Sequence, residues 1–443
     1  MSARGAFPVV LRTPPAPRLT RAMQRTHAPI HPLRRVLAVL IWILVPIVAL
    51  AAGLAGFFGS AILADWVWVF SAAGIALAFV AGFFAARLGF AAWGARRPRR
   101  AAAVLASVVV AALTGVIGIA TFVPIDYGYT PDSAPAGTEY WDLPSGSRIA
   151  YLHAAPTGEP RGESIVVLHG GPGTPGEGLP PGTDLLTAAG YDVYGYDQVG
   201  GGRSTRLADV TQYTVARQVD DLEAIRELID AERMTLIGRS WGASLAAQYL
   251  AAHPDRVAAA VFVSPGALWP GAFDGEVSDP WATLPASSRQ EFDDLLSSPR
   301  VILSTLLLGF NPNAAHAFMG DAEADAMLHA SAVVGQNAGV CPGDVAREPH
   351  GNAQGFYVNQ LTSEDFDATP DPRPALAELD VPVLVIRGEC DFVRAEVADD
   401  YRDVFQASEL ISIAGAGHAV WGDAPPEYLD ALTAFLIEGA VAE

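Results

Sequence analysis

The pattern of apolar positions changes twice along the chain. Residues 1–35 are rich in Pro and Arg and show no apolar periodicity, which predicts a disordered basic tail. Three unbroken apolar stretches follow: Val36 to Phe58, Trp66 to Ala86 and Ala101 to Val123. None holds a charged side chain, and each is long enough to cross a bilayer core as a helix. A cleaved secretory signal would have a shorter apolar region and would leave the second and third stretches unexplained. Residues 36–123 therefore read as a three-span membrane region. The segment 124–136 contains Pro124, Pro131 and Pro135, cannot continue a helix, and marks the boundary to a domain over 137–443.

Beyond that boundary the pattern becomes one of short strands and helices. Tyr140–Leu143 and Arg148–His153 form a hairpin pattern. Ser164–Leu168, Tyr191–Tyr196, Met234–Ile237 and Val257–Val263 read as strands, with helical spacing over Val215–Ala231 and Trp241–Ala252. The rhythm breaks at about 265–376, an irregular, Pro-rich insert that leans toward helix, and resumes with Val381–Ile386, Glu396–Phe405, Glu409–Ile413 and Pro426–Leu436. Alternating strands and helices predict an α/β domain, a mostly parallel sheet with helices on both faces and a cap formed by the insert. The chain has no internal repeat.

Charge orients this arrangement. Residues 1–123 carry a net +11 and residues 124–443 a net −31, and every basic side chain is Arg. Arg34 and Arg35 precede the first apolar stretch, and Arg96, Arg97, Arg99 and Arg100 separate the second from the third. The other two flanks hold Asp65, Asp126 and Asp132. Arg-rich loops stay in the cytoplasm, so the tail is expected inside and the acidic domain outside the cell membrane. Trp66, Trp68 and Trp93 fall where interfacial aromatics belong. A domain this acidic has no basic patch for phosphates, which excludes nucleic acid as a partner.

The candidate chemistry lies in the acidic domain. Gly238-Arg239-Ser240-Trp241-Gly242 directly follows the strand Met-Thr-Leu-Ile and directly precedes a helix. That context suits a nucleophilic serine on a sharp strand-to-helix turn. A serine hydroxyl needs a base, and the base needs an orienting acid. Asp391 follows the strand at 381–386, and His418 lies in the Gly-rich loop after the strand at 409–413, so the order Ser, Asp, His is the one this architecture requires. An oxyanion would take the amide of Trp241 and that of Gly170 or Gly171, in the loop His169-Gly170-Gly171-Pro172-Gly173 after the strand at 164–168. His169 reads as a structural loop residue.

Several segments together resemble a known family: HGGPGTPG at 169–176, YDQVGGGRS at 196–204, GRSWGASLAAQYLAAHP at 238–254, RGECD at 387–391 and GAGH at 415–418. They resemble the proline iminopeptidases and their relatives among the α/β-hydrolases, over roughly 137–264 and 380–438. The resemblance implies an α/β-hydrolase fold and removal of an N-terminal residue, often proline, from short peptides. Asp197, Gly200 and Arg203 match the family's turn, with Val199 where the family usually has Arg. The insert departs from the family, whose cap carries glutamates near a Trp-rich helix that bind the substrate's amino group. Glu276, Glu291, Glu323, Asp325 and Glu364 are the substitutes available for such a role, set against an ordinary place on a solvated surface.

Cys341 and Cys390 are the only cysteines, and outside the cell they are expected to pair, tying the cap to the Asp391 loop. No Cys/His cluster or phosphate loop suggests a metal or cofactor, so none is expected. The substrate is then a small peptide or a small acyl compound. A membrane-anchored serine aminopeptidase is the first expectation, an esterase with the same triad the alternative, and a non-catalytic membrane scaffold the alternative of another class.

Overall fold

The computed structural model describes residues 31–95, 97–275, 278–280, 284–346, 349–423 and 425–439. Arg96 and Glu276, singled out above, lie outside the described residues, as does the tail up to residue 30.

Three long apolar helices come first: α1 (Pro32–Ala61), α2 (Val67–Ala92) and α3 (Pro98–Thr121), each of which could span a membrane. Helix α2 runs past Arg87 because Leu88–Ala92 is again apolar. Small residues let α1 and α2 approach closely. A methyl on Gly56 would lie 2.9 Å from the Ala73 carbonyl, and one on Gly74 3.0 Å from the Gly53 carbonyl. Such close backbone packing is what drives helix association where lipid removes the hydrophobic drive. The chain turns back between successive helices, so the N-terminus of α1, the C-terminus of α2 and the N-terminus of α3 share one end of the bundle. Arg34, Arg35, Arg97, Arg99 and Arg100 sit there, with the Arg35 guanidinium 6.0 Å from the Trp93 ring.

The rest of the chain is built on an eight-stranded sheet in the order β1-β2-β4-β3-β5-β6-β7-β8. The strands are β1 (Glu139–Asp142), β2 (Arg148–Ala154), β3 (Ser164–Leu168), β4 (Asp192–Tyr196), β5 (Met234–Arg239), β6 (Val257–Val263), β7 (Val383–Gly388) and β8 (Ser408–Ile413). β1 and β2 pair antiparallel at one edge and all strands from β4 onward are parallel. Alternate residues of the central strands enter opposite cores. Val166, Leu168, Leu236, Phe262 and Val385 pack on one face, and Ile165, Val167, Ile237, Val261 and Ile386 on the other. Each buried aliphatic side chain contributes roughly 1.5–3 kcal/mol, and a one-residue slip would exchange the two sets.

Helices α4 (Thr183–Ala188), α5 (Val215–Leu228) and α6 (Trp241–Ala252) join the strands from β3 to β6, α13 (Ala395–Val404) joins β7 to β8, and α14 (Val420–Asp423) and α15 (Pro425–Thr433) follow β8. Between β6 and β7 the insert folds into α7 (Ala286–Leu296), α8 (Pro299–Phe310), α9 (Pro312–Phe318), α10 (Asp321–Gly335), α11 (Phe356–Asp367) and the short α12 (Arg373–Leu376). It is more regular than its proline content suggests. Pro299 and Pro312 open α8 and α9 where no amide partner is needed, and Ser298 and Asn311 cap them by accepting from Val301 N and Ala314 N. These two prolines are helix starts, not breaks.

The cap is bonded to the helical bundle. Asn311 Nδ2 donates to the Ala61 carbonyl at 2.9 Å, and Arg300 Nη1 to the Thr121 carbonyl at 2.7 Å. Residues 124–136 run along the cap: Ile125 N donates to Glu323 Oε1 at 2.9 Å, and Asp132 N and Tyr129 Oη both donate to the Gly351 carbonyl. Cys341 and Cys390 form a disulfide with Cα atoms 5.2 Å apart, joining the cap to the loop after β7.

Candidate active site

Ser240 stands between β5 and α6 with φ 52° and ψ −120°, a conformation L-residues rarely adopt. Its surroundings hold it there. The Ser240 amide donates to the Val263 carbonyl, and the Ser240 carbonyl accepts from Ala243 N and Gly266 N. A side chain at Gly242 would collide with the Leu168 backbone, and one at Gly238 with Gly242. Both glycines of the motif are therefore needed for the turn to nest against β3. Trp241 opens α6, where amides have no partner inside the helix. Its indole Nε1 donates to Gln198 Oε1 and Gln218 Oε1, which locks the ring beneath the turn.

The loop after β3 meets this turn. A methyl on Gly170 would lie 3.2 Å from Ser240 Cβ and 3.7 Å from Ser240 Oγ. Gly171, at φ 119°, instead faces Thr174 within the loop, so of the two it is Gly170 where an added methyl would meet the serine. His169 holds the loop. Its Nε2 accepts from Gln198 N at 2.9 Å and its Nδ1 donates to the Gly170 carbonyl at 2.8 Å, which assigns the proton to Nδ1. Burial lowers its pKa to about 4, so it stays neutral and structural. The turn after β4 braces the same loop through Gln198, whose Nε2 donates to the His169 carbonyl at 2.9 Å, and is itself tied by Asp197 Oδ2 accepting from Arg203 N at 2.8 Å; burial raises the Asp197 carboxyl to about 6. Val199 is buried in the core.

His418 and Asp391 come together from the loops after β8 and β7. Nδ1 of His418 lies 2.8 Å from Asp391 Oδ1, and both side chains are almost fully buried. The same Oδ1 accepts from Val393 N at 2.9 Å. Burial works to raise the Asp391 carboxyl, but the charge and hydrogen bond of His418 and the Val393 amide together hold it below its usual range. A carboxylate placed so keeps the proton on Nδ1 and leaves Nε2 free to accept one.

A cavity of about 630 Å³ opens beside Gly170, walled by Arg239, Trp421, Glu177, Arg203 and His350. Its volume is that of an ordinary small-molecule site. Arg239, one residue before the serine, lies with its guanidinium 5.3 Å from the Trp421 ring, and burial lowers its pKa against the opposing pull of Asp391 and Asp423. Glu177 faces Arg203 Nη2 at 3.3 Å from each oxygen, a loose contact. Glu177 and Arg239 were not singled out from the sequence. The available signal was position: Glu177 follows Gly170 in the same loop, and Arg239 is the variable residue of the serine motif.

The acids proposed in the cap are placed differently. Glu323 receives Arg300 Nε and Nη2 at 2.6 Å each, and Asp325 receives Arg206 Nε at 3.0 Å and Nη2 at 2.9 Å. Both are neutralised by structural ion pairs. Glu291 and Glu364 are exposed on α7 and α11. The described residues hold no group of His, Cys, Asp and Glu fit for a metal ion.

The α/β-hydrolase fold family profile matches residues 163–319, which include the Ser240 turn. The chain carries an α/β-hydrolase domain. Among curated proteins it is 33% identical to a probable proline iminopeptidase of Leptolyngbya boryana over 25% of this chain and 34% of that one. The proline iminopeptidase of Heyndrickxia coagulans is 36% identical over 27% of this chain and 41% of that protein. The proline iminopeptidase of Lactobacillus helveticus is 26% identical over 61% of this chain and 89% of that one. The chain thus spans about a third to two-fifths of the first two relatives. Among solved structures, the Mycobacterium smegmatis proline iminopeptidase aligns at 22% identity over 69% of this chain and 99% of its own, with a TM-score of 0.45. A Rhodococcus esterase aligns at 20% identity over 68% and 98%, also with a TM-score of 0.45. The chain thus has the α/β-hydrolase fold, with homologues of low identity that are named proline iminopeptidases.

Proposed function

We propose that this protein is a membrane-anchored, extracytoplasmic serine hydrolase that releases N-terminal residues from short peptides through an acyl-enzyme. The observation that carries the proposal is the strained Ser240 turn, packed against Gly170, in a domain where His418 is bound to a buried Asp391. In this reading His418 Nε2 takes the Ser240 proton as the hydroxyl attacks the scissile carbonyl. Asp391 stabilises the imidazolium that results. The amides of Trp241 and Gly170 or Gly171 hold the oxyanion. His418 then protonates the leaving amine, and water releases the acyl group by the reverse sequence. Three apolar helices and Arg side chains gathered at the bundle end away from the hydrolase domain support anchoring with that domain outside.

The relatives named proline iminopeptidases support the peptidase reading. A free amino group needs a carboxylate, and Glu177 is the acid on the cavity wall with only a loose partner. A second reading, an esterase, is favoured by the pairing of Glu323 and Asp325, which removes two cap acids from that task. The test compares Pro-p-nitroanilide, its N-acetyl derivative and p-nitrophenyl acetate on wild type, Ser240→Ala and Glu177→Gln. The peptidase reading expects a strong preference for the free amine and a KM about 10–100-fold higher in Glu177→Gln, the worth of one charged hydrogen bond. Equal activity on the blocked anilide, or activity on the ester alone, selects the esterase. Turnover retained in Ser240→Ala rejects both.

A further inference from the structure

Helix α8 turns an uncharged face outward. Ile302, Leu306 and Phe310 recur at four-residue intervals and are 48%, 48% and 53% exposed. Thr305, on the same face, donates its hydroxyl back to the Val301 carbonyl at 3.0 Å, so the stripe presents almost no polar group in need of water. The opposite side, with Val301, Ser304 and Leu307, is buried. A helix on a water-facing surface normally does the reverse, turning charge outward. The neighbouring α7 does so, with Arg289, Glu291 and Asp293 exposed.

The position of α8 explains the difference. Arg300 in its first turn bonds to the Thr121 carbonyl at the end of α3. Asn311, just past its last turn, bonds to the Ala61 carbonyl at the end of α1 and to Asp65 Oδ1 at 2.8 Å. The Phe310 ring lies 5.4 Å from that of Phe58. Helices α1 and α3 both finish at this end of the bundle, so a helix strung between their ends runs across the bundle and not along it. The ends themselves carry further exposed apolar groups, Leu63, Val123 and the stacked Trp66 and Trp68. Aromatic residues of that kind mark the level of lipid headgroups.

Resting on the reading that α1–α3 cross a bilayer, we infer that α8 is a further membrane-contacting element. It lies in the plane of the interface where α1 and α3 end, with Ile302, Leu306 and Phe310 in lipid. The cap is thereby seated on the membrane surface and not carried clear of it. The occupant of the stripe is the same bilayer the helices span, because the stripe is continuous with their ends through Phe58, Asn311 and Arg300. An amphipathic helix with its apolar face at the headgroup boundary and its other face satisfied is a stable interfacial arrangement.

The test uses the full chain in phosphatidylcholine vesicles. Both native cysteines are in the disulfide, so a single introduced cysteine is the only free thiol for a nitroxide label. Labels go at Leu306→Cys and Phe310→Cys, at Val108→Cys on exposed α3 as the lipid standard, and at Glu227→Cys on exposed α5 as the water standard. Each variant is first shown to keep the wild-type melting temperature. The readout is the ratio of collisions with oxygen, which partitions into lipid, to collisions with an aqueous nickel chelate. Ratios at 306 and 310 close to that at 108, and several-fold above that at 227, support the inference. Ratios at 306 and 310 equal to that at 227, with 108 in lipid, overturn it and leave the anchor in place. An aqueous ratio at 108 overturns the anchor and the inference with it.

Discussion

Arg300→Met is the most informative single change for the joint between cap and bundle. Arg300 is 5% exposed and its guanidinium makes four hydrogen bonds: two at 2.6 Å to Glu323, one to the Thr121 carbonyl and one at 3.0 Å to the Phe318 carbonyl. Methionine fills much of the space of the side chain but offers no donor. Glu323, its side chain 11% exposed, is then a carboxylate left with only the Ile125 amide, and two carbonyls at helix ends lose their partners. Breaking a buried pair from one side typically costs about 3–5 kcal/mol. For a domain of roughly 300 residues, at about 2.1 cal/mol/K per residue, each kcal/mol lowers the melting temperature by about 1.5 °C, so a fall of roughly 5–8 °C is expected. The assay is thermal unfolding of the detergent-solubilised full chain, with the double variant Arg300→Met/Glu323→Leu measured alongside. Removing both partners replaces a charge pair with apolar contacts and should recover most of the loss. A loss under about 1 kcal/mol for the single variant, or no recovery in the double, would refute the reasoning.

Ser240→Ala should abolish turnover and labelling by a fluorophosphonate probe while leaving the melting temperature near that of wild type, because the turn is held by backbone contacts. Asp391→Asn should keep an oxygen where Oδ1 now accepts from His418 and Val393 and lose mainly the charge. A charge pair about 4 Å apart is worth about 4 kcal/mol in a partly screened site, or about 10³-fold in kcat; a loss under tenfold counts against Asp391 as the orienting acid. Asp197→Asn probes the turn after β4. With the folded carboxyl at about 6 against an ordinary 3.8, the native state binds the extra proton, so this group's stabilisation is complete below pH 4 and lost as pH rises through 6. The shift corresponds to roughly 3 kcal/mol. Melting curves from pH 4 to 7 should therefore fall more steeply for wild type than for the variant, and parallel curves would contradict the assignment.

Local rules carried much of this protein in its sequence. Unbroken apolar runs marked α1, α2 and α3, and short β-branched runs such as Ser164–Leu168 marked the strands, because span length and strand burial depend on neighbours along the chain. The serine turn was legible for the same reason: Gly238 and Gly242 flank Ser240, and what they permit is local. Proline in the insert misled, since Pro299 and Pro312 have one meaning inside a helix and the opposite meaning at its first residue. What the tertiary structure alone decided concerns pairs of distant residues. Nothing near Glu323 in sequence announces that Arg300 occupies both its oxygens, or that Arg206 and the Phe356 amide take those of Asp325, so acids that read as substrate ligands or solvated surface groups proved to be committed. Glu177 gained its place on the cavity wall from the loop path after β3, and His418 met Asp391 because β7 and β8 are adjacent and parallel. The outward face of α8 is apolar by sequence, but only its suspension between the ends of α1 and α3 shows that this stripe does not face the core, because burial is a property of the packed chain and not of the residue.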